Sequence, residues 1–195
     1  MNEVIILRKL FFLLSCLVVL SACVPTEKDE PNNVSTLPPA IAEIQEGDFI
    51  YKLSTEKDVY DTFGGTAIFA ELTYVGEMES IDIYHAASPF YFPLEERTRG
   101  IEVDYAMNEP LIVTTLKKDE PFQQRYNFAG GYSDQDEEQY VEFVKTVMNK
   151  GFPEGEYIIH GSAEFTTIDP SVATDEERFN LKADIGFTVT KGVNE

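Results

Sequence analysis

Apolar and polar residues alternate through one of the last stretches of the chain. Phe179, Leu181, Ala183, Ile185, Phe187 and Val189 fall on one side, opposite Asn180, Lys182, Asp184, Gly186 and Thr188. A period of two sends successive side chains to opposite faces of a strand, so this run predicts a strand with one face in a core and one in water. The pattern recurs in 65–75, where Ile68, Ala70, Leu72 and Tyr74 alternate with Phe69, Glu71 and Thr73. It appears again in 80–85, around Ile101, Val103 and Tyr105, and around Ile112, Thr114 and Leu116. Residues 49–53, 126–129 and 157–165 read as further strands. Gly76-Glu77 separates the strand at 65–75 from that at 80–85, which predicts that these two pair as antiparallel neighbours; Glu109-Pro110 reads as a later turn.

One stretch has a different period. Tyr140, Phe143, Val144, Val147 and Met148 recur at helical spacing, with Glu142, Lys145, Thr146 and Asn149 on the other side, which predicts an amphipathic helix. Asp134 followed by Glu137 resembles a capping box, and Lys150-Gly151 before Pro153 is a stop signal. The apolar stripe is read as packing over one end of the sheets, with a lid or partner surface as the functional alternative. Seven or eight strands, one helix, no βαβ alternation and no internal repeat predict a mainly β domain over residues 48–192. The expected form is an immunoglobulin-like two-sheet antiparallel sandwich with one inserted amphipathic helix, a barrel being the alternative. The chain has no Trp and only two cysteines, Cys16 and Cys23, so the antibody signature is absent.

The first residues are of another kind. Arg8 and Lys9 precede an apolar run from Leu10 to Leu20, the layout of a secretory signal peptide and too short for a membrane span of about 20 apolar residues. Leu20-Ser21-Ala22-Cys23 resembles the lipobox of bacterial lipoproteins. The resemblance covers the N-terminus alone. It implies cleavage of 1–22 before Cys23 and a diacylglyceryl group on the Cys23 thiol, which places the chain on the cell membrane, lipid-anchored, at its extracytoplasmic face. Cys16 would then leave with the leader, so no intrachain disulfide could form. Residues 23–47 carry Pro25, Pro31, Pro38 and Pro39 among polar residues and read as the lipidated Cys and a disordered tether.

Fifteen basic residues stand against 35 acidic ones, a net charge of −20. Loss of the leader with Arg8, Lys9 and Glu3 would make the remainder one charge more acidic. Phosphate backbones demand Lys and Arg patches, and no basic run here exceeds Lys117-Lys118, so nucleic acid is excluded as an expected partner. The acidity is read as a means of solubility, with basic envelope partners as the functional alternative.

Little catalytic chemistry stands out. His85 and His160 are the only imidazoles; neither has zinc-type neighbours, and Gly161-Ser162-Ala163 lacks the second Gly of a nucleophile elbow. The acidic cluster Asp134, Asp136, Glu137 and Glu138 reads as helix capping and lacks the spacing of a calcium loop; Asp175-Glu176-Glu177 reads as a solvated loop. No metal and no cofactor is expected. Phe152-Pro153-Glu154-Gly155-Glu156-Tyr157 resembles the Pro-Gly-x-Tyr strand entry of the bacillus-type intracellular proteinase inhibitors, with Glu154 interrupting the motif. That resemblance spans about six residues and implies a small disulfide-free sandwich; it carries no inhibitory residue. Three consecutive aromatics, Phe90, Tyr91 and Phe92, framed by Pro89 and Pro93, must point to both faces of a strand. They are the candidate binding residues, the alternative being a packed, proline-protected edge. Together these readings predict a non-catalytic module that binds an envelope protein or glycan. A proteinase inhibitor-like protective module is the alternative, and a small hydrolase a third reading.

Overall fold

The computed structural model describes residues 37–168 and 177–192. The leader, the lipobox with Cys23, most of the tether, and Asp175 and Glu176 lie outside these residues. Twelve strands and one helix are described: β1 (Ile41–Glu46), β2 (Phe49–Thr55), β3 (Val59–Asp61), β4 (Ile68–Tyr74), β5 (Ser80–His85), β6 (Phe90–Tyr91), β7 (Leu94–Glu96), β8 (Ile101–Val103), β9 (Ile112–Lys117), β10 (Phe122–Arg125), α1 (Glu138–Lys150), β11 (Gly155–Thr166) and β12 (Arg178–Thr190). They form a two-sheet sandwich with one helix.

Sheet A has the order β1-β2-β4-β10, and sheet B runs β3-β12-β11-β5-β9. The long strands β11 and β12 pair over their whole length, from Gly155↔Val189 to Thr166↔Arg178, and their alternating apolar residues turn inward as the sequence predicts. Along the other side of β11, β5, β6 and β7 lie end to end, opposite Thr166, Ser162-Ala163 and Tyr157–Ile159 respectively. They behave as one strand broken by Pro89 and Pro93, which have no N–H for the ladder. Their carbonyls keep the segment attached: the Glu164 N–H donates to Pro89 O at 2.7 Å and the His160 N–H to Pro93 O at 2.9 Å.

Four expectations are corrected. β4 and β5 are not neighbours, since β4 pairs with β2 and β10 in sheet A while β5 belongs to sheet B. The segment after Tyr74 therefore crosses between sheets, and Gly76 leaves room for the Tyr74 hydroxyl, to which the Met78 N–H donates. The strand read at 126–129 lies one step earlier, at β10. The Tyr126 N–H still donates to Ile68 O at 2.9 Å at the end of that ladder; Tyr126 and Phe128 pack partly buried against the core, and the Tyr126 ring packs on Phe92 and Phe152. Ile41–Glu46, inside the stretch read as tether, pairs with β2 from Ile41↔Ser54 to Glu46↔Phe49. Finally, Glu137 is the N-cap of α1 and makes no side-chain capping bond, while the Asp136 carboxylate instead accepts from the Ser133 hydroxyl at 3.1 Å. Sheet B is also mixed: β3 runs parallel to β12.

The core lies between the sheets, with Tyr51, Leu53, Ile68, Leu72, Ile83 and Ile159 fully buried. Phe49, Phe165 and Phe179 close one end, with ring centroids 4.8 to 5.0 Å apart. At the other end α1 buries Phe143, Val144 and Val147, and the Phe143 ring stacks over Tyr157, itself stacked on Phe187. The helix is thus a cover for one end of the sandwich. Among the described residues no helix is long and apolar enough to cross a membrane.

Candidate functional site: the outer face and open edge of sheet B

The three aromatics part company. Phe90 and Phe92 are 0% and 1% exposed and belong to the core, so neither can meet a partner. This corrects their reading as binding residues, and the cause is register: the strand pairs inside the sheet and turns alternate side chains inward. Tyr91 faces outward, opposite Ser162, and its hydroxyl is held above the usual tyrosine range by partial burial and by the charges of Glu164 and Glu109.

Around Tyr91 the outer face gathers most of the polar chemistry of the domain. The alternation that buries Ile159, Gly161 and Ala163 turns His160, Ser162 and Glu164 outward, and the same logic on β12 presents Lys182 and Asp184. A shallow cavity of about 230 Å³ opens between them, floored by Gly161 and bounded by Pro93. The His160 ring lies between two carboxylates, with Nδ1 3.0 Å from Asp184 Oδ1 on β12 and Nε2 3.2 Å from Glu95 Oε2 on β7. Arg97 stands 3.7 Å from the other Glu95 oxygen. The Ser162 hydroxyl donates to Glu164 Oε1 at 2.9 Å.

This arrangement sets its own chemical limits. A serine nucleophile needs a ring nitrogen on its oxygen, whereas both nitrogens of His160 face carboxylates and Ser162 is turned to Glu164. A metal ion needs ligands that converge, but Glu95 and Asp184 lie on opposite sides of one ring. Among the described residues no group of three or more His, Cys, Asp or Glu side chains could hold a metal. What remains is a cross-strand polar network that ties β12, β11 and β7 together. His85 is elsewhere and buried. Its Nδ1 donates to the Ala86 carbonyl and its Nε2 accepts from the Thr114 hydroxyl, both at 2.8 Å, and burial holds its pKa below the usual value, against the opposing effect of the Ala86 bond.

No family model, no curated protein and no solved structure matches the chain. The site therefore rests on its geometry.

Beyond the outer face, sheet B ends at β9, which pairs with β5; just past its end Lys118 bridges to Tyr74 of β4, and the Asp119 N–H donates to Tyr74 O at 2.9 Å. Here Leu111, Ile112 and Val113 are 54%, 39% and 51% exposed, three consecutive large apolar side chains in water. Sequence reasoning read Ile112 as facing a core. The period was right, but Ile112 lies where β9 begins, and only Leu116, further along the same face, is covered.

The buried Glu96 was also missed. Both its oxygens are used: Oε1 and Oε2 accept the N–H groups of Thr98 and Arg99 at 3.0 and 2.8 Å, and the Arg99 guanidinium lies 3.2 Å away. These contacts hold the turn between β7 and β8. They also account for Gly155 in the Pro-Glu-Gly-Glu-Tyr string, because any side chain there would fall on Glu96 Oε1. The Tyr157 hydroxyl donates back to Pro153 O at 2.6 Å. That motif, in this chain, builds a strand entry around a buried carboxylate.

Proposed function

We propose that this protein is a non-catalytic binding module, held at the extracytoplasmic face of the cell membrane by a lipid on Cys23, which engages an envelope component through the edge of sheet B. The observation that carries the binding half is the open β9 edge, with Leu111, Ile112 and Val113 in water where the strand begins, on a side that no further strand of sheet B pairs among the described residues. Exposed contiguous apolar surface on a sheet edge is a hazard unless it is used. Its position fits a tethered module. Leu37–Ala40 meet the sheet at β12, where the Gly186 N–H donates to Pro39 O at 3.3 Å, and β9 lies at the opposite edge. The point where the described chain begins and the β9 edge thus lie at different sides of sheet B.

The anchor is tested by intact mass and membrane partition of the protein made in a bacterial host, beside Cys23→Ala. Diacylglyceryl mass on a chain beginning at Cys23, lost together with membrane association in the variant, is the expected result. An unmodified, freely released chain overturns the tethered reading. The binding half is tested in intact cells with a photo-crosslinking residue at Val113 and, as comparison, at Thr190. A discrete envelope adduct from Val113 alone is expected; equal or absent labelling from both overturns it.

A further inference from the structure

We infer that the β9 edge is completed by an extended, net-basic segment of a partner protein, which adds to sheet B as a further strand. This rests on the binding reading above but not on the lipid anchor.

The ladder itself shows which groups are offered. The Lys118 N–H donates to Glu79 O at 2.9 Å, which makes that pair a hydrogen-bonded one. In an antiparallel ladder such pairs alternate with pairs that point their groups away from each other. In the register of β5 and β9 the bonded pairs are then Ile81 with Leu116, Ile83 with Thr114 and His85 with Ile112. Val113, Thr115 and Lys117 direct their backbone groups outward. The Lys117 carbonyl is taken by the Glu120 N–H at 3.2 Å, which leaves the N–H groups of all three and the carbonyls of Val113 and Thr115 on the open side.

The side chains beside these groups suit an incoming strand. Val113 shares the outer face with Tyr84, its cross-strand neighbour, and Ile112 lies on the other face, so a strand laid along β9 finds apolar contacts on both sides. Main-chain bonds supply affinity in strand addition, and alternate side chains supply selectivity. The usual defences of an edge are missing from the first five residues of β9, Ile112 to Leu116, which hold no proline, no charge and no bulge.

Charge decides between occupants. A second copy would bring two chains of −20 together over a six-residue strand, where like charges repel. Beside the edge Asp82 accepts from the Thr115 hydroxyl at 2.6 Å, Lys117 pairs with Glu120 at 3.4 Å and Lys118 stands next to Asp119, all within a chain of net charge −20. Such a field collects and orients a basic segment and repels an acidic one.

The test uses the full-length protein in detergent micelles and a fluorescent heptapeptide of alternating Lys and Val, held below its own assembly concentration. Companion peptides replace Lys with Glu, or carry N-methyl groups on alternate backbone amides. The Lys-Val peptide is expected to bind, with the Glu-Val and N-methylated forms each weaker by about tenfold or more. Thr115→Pro removes one outward N–H and should cost a similar factor. Thr115→Val, which loses only the Asp82 bond, should stay within about twofold. Circular dichroism verifies that both variants are folded, and the peptide series decides the matter by itself if Thr115→Pro is not. Equal binding of the N-methylated peptide means charge attraction alone and overturns the proposal. So does no binding by any peptide, or a dimer in sedimentation that Thr115→Pro converts to a monomer. An envelope adduct at Val113 alongside failed peptide binding leaves the binding reading standing and removes strand addition; loss of both removes both.

Discussion

The two edges of sheet B answer the same problem in opposite ways. At one, the last part of β12 is covered: β3 runs parallel to Thr188–Thr190, the Thr188 N–H donates to Asp58 O at 2.8 Å, and Pro39 accepts from Gly186. At the other, β9 turns backbone groups and the side chains of Ile112 and Val113 to water, next to Leu111 just before it. Both strands belong to one sheet and one core, so the requirements of folding do not explain the contrast. An edge can be closed cheaply by a few residues of passing chain, and the domain does this along the end of β12 but not where β9 begins.

The largest effect should come from the turn that carries the sheet on below β9. Glu96 is fully buried and holds Thr98 and Arg99 at the β7–β8 hairpin. Removing its carboxylate strands the backbone donors and the Arg99 charge and leaves a void beside Gly155. Glu96→Ala should therefore cost about 3–5 kcal/mol, read as a lower urea midpoint at unchanged slope. A cost below about 1 kcal/mol would show that the hairpin, and with it the lower part of this side, is held by other contacts.

Next comes the covered edge. A Cβ at Gly186 would lie 2.8 Å from Leu37 Cβ and 2.9 Å from Pro38 O, so Gly186→Ala must push residues 37–40 off β12. Overpacking of this kind costs about 1–3 kcal/mol. The variant should melt lower and be cut faster by protease near Leu37, making the two edges alike. Unchanged proteolysis would mean that the covering segment had merely shifted.

The difference between these edges was only partly legible in the sequence. β12 was readable because every second residue, from Phe179 to Val189, faces the core, and α1 because its apolar stripe keeps a helical period. β1 was not, because only Ala42 leans on the core, so the strand shows no alternation, and its acids together with Pro38 and Pro39 just before it resemble a linker. Phe90 and Phe92 misled for the reverse reason. Three aromatics in a row give no period, and what buries two of them is a register with β11 about seventy residues later. Glu96 had no signal, since its partners are backbone groups of a turn. The outer network of Glu95, His160 and Asp184 likewise comes from three separated strands whose pairing no local pattern contains. Local periodicity thus identified faces, whereas the site depends on which strands are neighbours.

A subtler handle is pH. His85 ties β5 to β9 through Thr114, and its folded-state pKa is depressed, chiefly by burial. The folded state therefore disfavours the charged ring, while the unfolded chain takes up a proton near the ordinary value of about 6.5. The stability from this group is fully present above that value and is lost as the pH falls through the lower, folded-state one. Exchange of the Thr114 and Leu116 amides, which point toward β5, should quicken on acidification relative to amides of β12, after correction for intrinsic rates. His85→Gln should lose most of that difference. An acid response equal on both edges would assign it to general titration of carboxylates instead.

The smallest effect on stability is expected at the open edge itself. Val113 is half exposed and lies outside the core, so Val113→Lys should change unfolding free energy by no more than about 0.5 kcal/mol. The same lysine places a charge in the middle of the apolar run, the device by which sheet edges are ordinarily protected. Binding of the Lys-Val peptide should then fall by about tenfold or more while the melting temperature holds, separating the role of this edge from the needs of the fold. If Val113→Lys instead unfolds the domain, the apolar run is structural, and the contrast between the two edges of sheet B is a matter of stability.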